Sequence, residues 1–175
     1  MKAVSNDTAG SGYCGPTVVA GITGKPLSKV LDAFRTVKFG KWWPGSFDRA
    51  PNIRGTTRSE VIRTLQMFGY VATRPKEGGD TTYYRKAERM TMARWYKKRE
   101  DYMRRFWCLI ETHGHWVLVK GNRFMDTHTD QAPVTIGKAP LRRARVHAVT
   151  AFYKSGKMVA IPTKKKRGKI RRRAS

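Results

Sequence analysis

Cys14 stands directly before Gly15-Pro16-Thr17, at the mouth of a segment whose apolar content predicts a helix over Thr17 to Thr23, with Pro in the first turn and Gly24 as its stop. The unpaired amides and the dipole at a helix N-terminus favour an anion and draw a thiol toward the reactive thiolate. Glycines at positions 10, 12 and 15 leave little side-chain bulk around the sulfur. The other cysteine, Cys108, lies inside the apolar run Phe106-Trp107-Cys108-Leu109-Ile110 and reads as a core residue.

A thiolate nucleophile needs a base that is held by a third group. The base candidate is His115, in Gly114-His115-Trp116-Val117-Leu118-Val119, and Asp126 follows on the next predicted strand. A two-residue turn at Lys120-Gly121 sets His115 opposite Asp126. A turn at Gly121-Asn122 sets His115 opposite His128 and makes Asp126 its diagonal neighbour. Strand side chains alternate with period two, so both registers keep His115 and Asp126 on one face. That face also carries His113 and His128, and His-x-His followed by Asp-x-His has the donor set for zinc or iron. The metal reading leaves Cys14 without a role, whereas the nucleophile reading uses Cys14, His115 and Asp126 together. No metal and no cofactor is therefore expected.

Three predicted helices come first: Thr17 to Thr23, Pro26 to about Val37 from Leu27, Val30, Leu31 and Phe34, and a third opened by the capping box Thr57-Arg58-Ser59-Glu60 and closed near Gly69. Phe39 to Gly55, with Trp42, Trp43 and several prolines and glycines, reads as an ordered loop. Tyr70 to Arg74 reads as a short strand and Lys86 to Met103 as a fourth helix whose Met92, Trp95 and Tyr96 pack inward. The period then changes to that of strands over Phe106 to Glu111, His115 to Lys120, Arg123 to Thr127 and Arg145 to Tyr153. Helices followed by an antiparallel sheet make an α+β fold, with one domain over 1–153 and a basic tail over 154–175.

Composition narrows the partners. The 175 residues suit a single domain, and 39% hydrophobic with 11% aromatic residues excludes an intrinsically disordered chain. Lys and Arg total 37 against 12 Asp and Glu, a net charge of +25 that points to a polyanionic partner, DNA or RNA first. No apolar run is long enough to span a membrane, the first twelve residues do not resemble a signal peptide, and neither cysteine belongs to a CxxC pair, so a reducing compartment is the expectation. The last carboxylate is Asp130. The tail residues Lys164, Lys165, Lys166, Arg167, Lys169, Arg171, Arg172 and Arg173 are the nucleic-acid-binding candidates, and Tyr83-Tyr84-Arg85-Lys86, Arg89 and Arg94 to Arg99 add aromatics among cations.

Asn6-Asp7 with Tyr13 to Gly24 resembles the nucleophile segment of papain-like cysteine peptidases, in particular the small versions encoded by bacteriophages and the domains that process bacteriocin leaders. Gly114 to Val119 and Phe124-Met125-Asp126-Thr127 resemble that family's histidine and acid strands, in the family's order Cys, His, Asp. The resemblance implies a papain-like fold in which the nucleophile helix packs on the sheet. It implies Cys14 as nucleophile, His115 as base and then acid, and Asp126 as the group that orients the imidazole. A protein or peptide substrate follows, cleaved at a peptide or isopeptide bond, in the cytoplasm of an infected bacterium or within a virion among other virion proteins. The family usually places a Gln about six residues before the nucleophile as an oxyanion donor; here that position is Thr8, and Asn6 is the substitute candidate if the chain from Gly10 to Gly12 folds back. The alternative is a basic virion or nucleic-acid-associated protein that keeps the fold with its chemistry reduced or lost.

Overall fold

The computed structural model describes residues 1–8, 13–72 and 90–155. Its helices are α1 (Cys14–Thr23), α2 (Leu27–Phe39), α3 (Arg58–Met67), α4 (Met92–Lys98) and α5 (Asp101–Arg105). Its strands are β1 (Tyr70–Ala72), β2 (Trp107–Thr112), β3 (His115–Lys120), β4 (Arg123–Met125), β5 (Val134–Thr135) and β6 (Ala148–Lys154). The strands form one sheet in the order β1-β6-β2-β3-β4-β5, with every neighbouring pair antiparallel. The fold is α+β, as the change of period along the chain implies.

Side-chain alternation gives the sheet two apolar faces. Leu109, Trp116, Leu118, Met125 and Phe152 join Val18, Ile22, Leu27, Val30, Phe34, Val61 and Leu65 of the first three helices in one core. The intervening residues Cys108, Ile110, Val117, Val119 and Ala151 join Met92, Trp95 and Met103 in a second core on the opposite face. Full burial of such side chains contributes about 1.5–3 kcal/mol each, so β2 and β3, apolar on both faces, form the rigid centre on which the site is mounted. α1 lies close against this centre. A Cβ added to Gly21 would come within 1.9 Å of the Met125 Cε and 3.0 Å of a Leu118 methyl.

Local signals explain most boundaries. Thr57 and Glu60 form a reciprocal capping box at the start of α3, and Gly24, in the left-handed region at φ 67°, closes α1 onto the Ala20 carbonyl. The predicted helix over Lys86 to Met103 is not continuous. Residues 86–89 lie outside the described residues, and the remainder breaks at Arg99, whose backbone is extended. The Arg99 guanidinium donates to the Gly121 carbonyl at 2.7 Å and stacks on the Tyr96 ring at 4.0 Å, tying the break to the β3–β4 turn. Met92 and Trp95 do face the core, with Tyr96 packed at its margin. The last predicted strand begins three residues late. Arg145 instead forms an isolated bridge with Thr91, and the His147 N–H donates to the Glu111 carbonyl at 2.8 Å.

Candidate active site

α1 begins at Cys14 itself, earlier than Thr17, because Pro16 needs no amide hydrogen bond in a first turn and the Thr17 N–H already bonds the Tyr13 carbonyl. The half-buried Cys14 side chain therefore sits at the positive end of a ten-residue helix. Burial pushes its thiol up, but a hydrogen bond to the His115 ring, the backbone N–H groups of Trp116 and Gly15, and the imidazolium charge outweigh that effect and hold it below the usual 9.0. Cys108 shows the contrast. It is sealed between sheet and α5, donates to the Met103 carbonyl at 3.1 Å, and burial pushes its thiol up to about 12.

His115 is the first residue of β3. Its Nε2 lies 3.0 Å from Asp126 Oδ2, and Asp126 has no solvent exposure. An ionised carboxylate only accepts, so Nε2 carries the proton, and Nδ1 is the ring nitrogen left to serve Cys14. Hydrogen bonds to Asp126 and then to Cys14 raise the imidazole from 6.5 to about 9, against the opposing effect of burial. The lowered thiol and the raised imidazole together favour a thiolate–imidazolium pair.

Asp126 is itself held. Its Oδ1 accepts the His128 N–H at 2.9 Å, its own N–H donates to Thr129 Oγ1 at 3.2 Å, and the Thr129 hydroxyl bonds back to the Asp126 carbonyl, so that the residue caps the short 3-10 turn Thr127–Thr129. That turn ends β4 at Met125, two residues before the predicted limit. The β3–β4 pairing joins Lys120 to Arg123, Val119 to Phe124 and Leu118 to Met125, so the turn is Gly121-Asn122. This is the register that faces His115 with His128, and their ring centroids lie 4.9 Å apart.

His115, Asp126 and His128 each offer a ligand atom within 4.8 Å of the others, which is the set a metal ion would use. Both Asp126 oxygens already accept hydrogen bonds, from His115 and from the His128 backbone. An ion held by Asp126 would share its oxygens with the hydrogen bonds from His115 and from the His128 backbone.

The segment before α3 forms the opposite wall. Thr56 packs against Gly15 so closely that a Cβ on the glycine would fall 2.0 Å from Thr56 Oγ1. The Trp116 indole donates to the Thr56 carbonyl at 3.2 Å, Arg54 Nε donates to the Tyr13 hydroxyl at 3.1 Å, and Arg58 is ion-paired with Glu111. Sequence reasoning missed Thr56 and the Trp116 N–H. Nothing in the residue types marks them, although any strand residue following a base presents an amide near it. Beyond His115 opens a pocket of about 460 Å³ lined by Thr112, Leu141, Ala144, Arg145 and the four histidines.

Asn6 is exposed, and its Oδ1 accepts from the Thr8 N–H at 3.1 Å and the Thr8 hydroxyl at 2.8 Å. This fixes the amide edge that would act as an oxyanion donor to point away from Thr8. Gly10 and Gly12, which govern its approach to Cys14, lie outside the described residues, as do Tyr83, Tyr84, Arg85, Lys86, Arg89 and the tail residues Lys164 to Arg173. Trp42 is exposed beside Lys41, while Trp43 lies between Arg35 and Phe47. Among the described residues no helix is long and apolar enough to cross a membrane. Comparison of the chain with protein families, curated proteins and solved structures finds no match.

Proposed function

We propose that the protein is a cysteine hydrolase of the papain-like, bacteriophage type, a peptidase or amidase that cleaves a peptide or isopeptide bond through an acyl-enzyme. The observation that carries this reading is the buried Asp126 carboxylate 3.0 Å from His115 Nε2, with the His115 ring in turn the group that draws the Cys14 thiol down at the mouth of α1. The Cys14 thiolate attacks the scissile carbonyl. The Cys14 backbone N–H at the mouth of α1 is one donor to the developing oxyanion, with Asn6 as the candidate for the second. His115 then passes its proton to the departing amine, the C–N bond breaks, and a water activated by the same imidazole hydrolyses the thioester to return Cys14. Asp126 keeps the ring in the productive tautomer throughout.

The net charge of +25 supports a second element of this reading, localisation on DNA or RNA through residues 164–173, in an infected bacterial cell or in the virion. The substitution of Thr8 for the family's Gln favours the alternative of a basic binding protein with weakened chemistry, since loss of one oxyanion donor costs on the order of 100-fold in rate. Labelling with iodoacetamide at neutral pH, read by peptide mass spectrometry, separates the two. The hydrolase reading requires Cys14 to be modified at least about tenfold faster than a free thiol-like Cys14 in His115→Ala. Equal rates in the two proteins would remove the catalytic role.

A further inference from the structure

His115 at the start of β3, Asp126 just after β4 and His128 in the turn that follows each offer one ligand atom within 4.8 Å of the others. The hairpin register brings them together. With the turn at Gly121-Asn122, His128 faces His115, and their ring centroids lie 4.9 Å apart. The proposed acyl transfer uses His115 and Asp126 but gives the His128 ring no part; only the His128 backbone N–H is engaged, on Asp126 Oδ1 at 2.9 Å. Two imidazoles and a carboxylate are donors that zinc takes in sites with an open fourth position. Donor atoms about 2.0–2.2 Å from a tetrahedral ion lie about 3.3 Å from one another, and His115 Nε2 and Asp126 Oδ2 are already 3.0 Å apart. Asp126 is wholly buried and His115 partly so, which fixes that half of the set in advance, while His128 is exposed and is the ligand that turns in. Each carboxylate oxygen has two lone pairs, so Oδ1 keeps the His128 N–H while Oδ2 holds the ion. Both rings line the pocket of about 460 Å³, by which an ion reaches them.

We propose that His115, Asp126 and His128 form a zinc site whose occupation reversibly shuts off the base. Zinc is here an inhibitor that competes with catalysis, not a resident cofactor. A neutral imidazole has one lone pair. An ion on Nε2 displaces the proton that Asp126 accepts; that proton leaves to solvent as the Zn–N bond forms, and the proton kept on Nδ1 leaves no lone pair to activate water. An ion on Nδ1 occupies the lone pair that faces Cys14. By either route the ring ceases to act as a base. The inhibition rests on the hydrolase reading, whereas the binding of zinc does not.

Zinc affinity is measured on the full chain carrying Cys14→Ala, which removes the exposed thiolate as a ligand, by competition with a chromogenic chelator. The chain has four histidines, so two variants account for every imidazole. Loss of outer partners alone weakens metal sites about 10–100-fold, so adding His128→Gln should weaken zinc binding at least about tenfold. Adding His113→Gln/His147→Gln instead should leave it within about threefold, and Mg²⁺, which imidazole ligates poorly, should not compete. Affinity that is indifferent to His128, that falls instead with His113 and His147, or that Mg²⁺ matches overturns the site. Inhibition is read on the unmodified protein as turnover of p-nitrophenyl acetate, whose deacylation needs the base. Saturating zinc should lower turnover at least about tenfold, with recovery on adding EDTA. Turnover that is unchanged at saturating zinc overturns the inhibitory role. Absence of turnover before zinc is added, with His128-dependent binding intact, would sink the hydrolase reading and leave the metal site standing.

Discussion

His115 Nε2 lies 3.0 Å from the Oδ2 of an Asp126 that has lost all contact with solvent. The consequence is a base that holds its proton well into the alkaline range, up to about 9, beside a thiol held below 9.0. The two groups titrate as a pair. As pH rises from the acid side the Cys14 proton leaves first and activity appears; as pH passes about 9 the imidazolium loses its proton, the general acid is lost, and activity falls. Asp126→Asn should move that alkaline limb to lower pH, because the carboxylate is the main cause of the raised imidazole. Thiolate absorbance in the ultraviolet, followed against pH in the wild type and in Asp126→Asn, checks this. An unchanged thiolate fraction at neutral pH in Asp126→Asn would deny the coupling.

The same carboxylate has a second role that two substitutions separate. Asp126 caps the turn Thr127–Thr129 through its Oδ1 while Oδ2 orients the base. Asn at this position keeps a capping oxygen, and Ala keeps nothing. Both variants should lose about 100- to 10,000-fold in kcat/KM, since the imidazole is no longer held in its tautomer. Only Asp126→Ala should also lose about 1–2 kcal/mol of stability from the missing cap, measured by urea unfolding. Equal stability of the two variants would show that the cap contributes nothing.

The His115–Asp126 relationship is legible in the sequence because residue parity along a hairpin survives a change of turn. The register itself is not, since Lys120-Gly121 and Gly121-Asn122 have equally suitable turn chemistry. Pairing of Lys120 with Arg123 settles it through the apolar set Leu118, Val119, Phe124 and Met125, which must enter both cores in phase. The break of the fourth helix at Arg99 was hidden for a different reason. Its cause is a tertiary bond to the Gly121 carbonyl, 22 positions away, which no local propensity encodes. The place of His147 beside the other histidines leaves no mark in the sequence, because the strand that follows it starts late, with the His147 N–H bonded to the Glu111 carbonyl. β5, two residues long, is too short to leave a periodic signal.

Two glycines of α1 separate a rigid constraint from a soft one. A Cβ on Gly15 would meet Thr56 Oγ1 at 2.0 Å and Thr56 Cβ at 2.9 Å, atoms near the backbone of a wall fixed by the Trp116 indole. A Cβ on Gly21 would meet the terminal methyl of Met125 at 1.9 Å, which a rotation can withdraw. Gly15→Ala should therefore cost about 2–3 kcal/mol and, by moving the mouth of α1, slow Cys14 alkylation at least about tenfold. Gly21→Ala should cost less than half as much and leave the alkylation rate within twofold. Thermal unfolding with alkylation kinetics on both proteins checks this, and the reverse ranking would mean that the Thr56 wall yields.

Much of the net charge of +25 lies far along the chain from Cys14, His115 and Asp126. Residues 164–173 contain eight Lys and Arg and no carboxylate. Each cation that neutralises a phosphate releases counterion, so affinity for duplex DNA should fall with salt at a slope of about 0.9 per contact. Deleting residues 164–175 should lower the slope by several units, up to about seven if all eight cations engage the backbone. The deletion begins nine positions beyond Ser155, the last described residue, whose N–H is bonded to the Gly69 carbonyl, so Cys14 alkylation is the control that the domain is intact. Fluorescence anisotropy with a labelled duplex across a series of salt concentrations gives the slope. A truncated chain that alkylates normally and keeps the full salt dependence would place the polyanion contact on the domain itself, among cations such as Arg94, Lys97, Lys98 and Arg104, and remove the tail from the localising role.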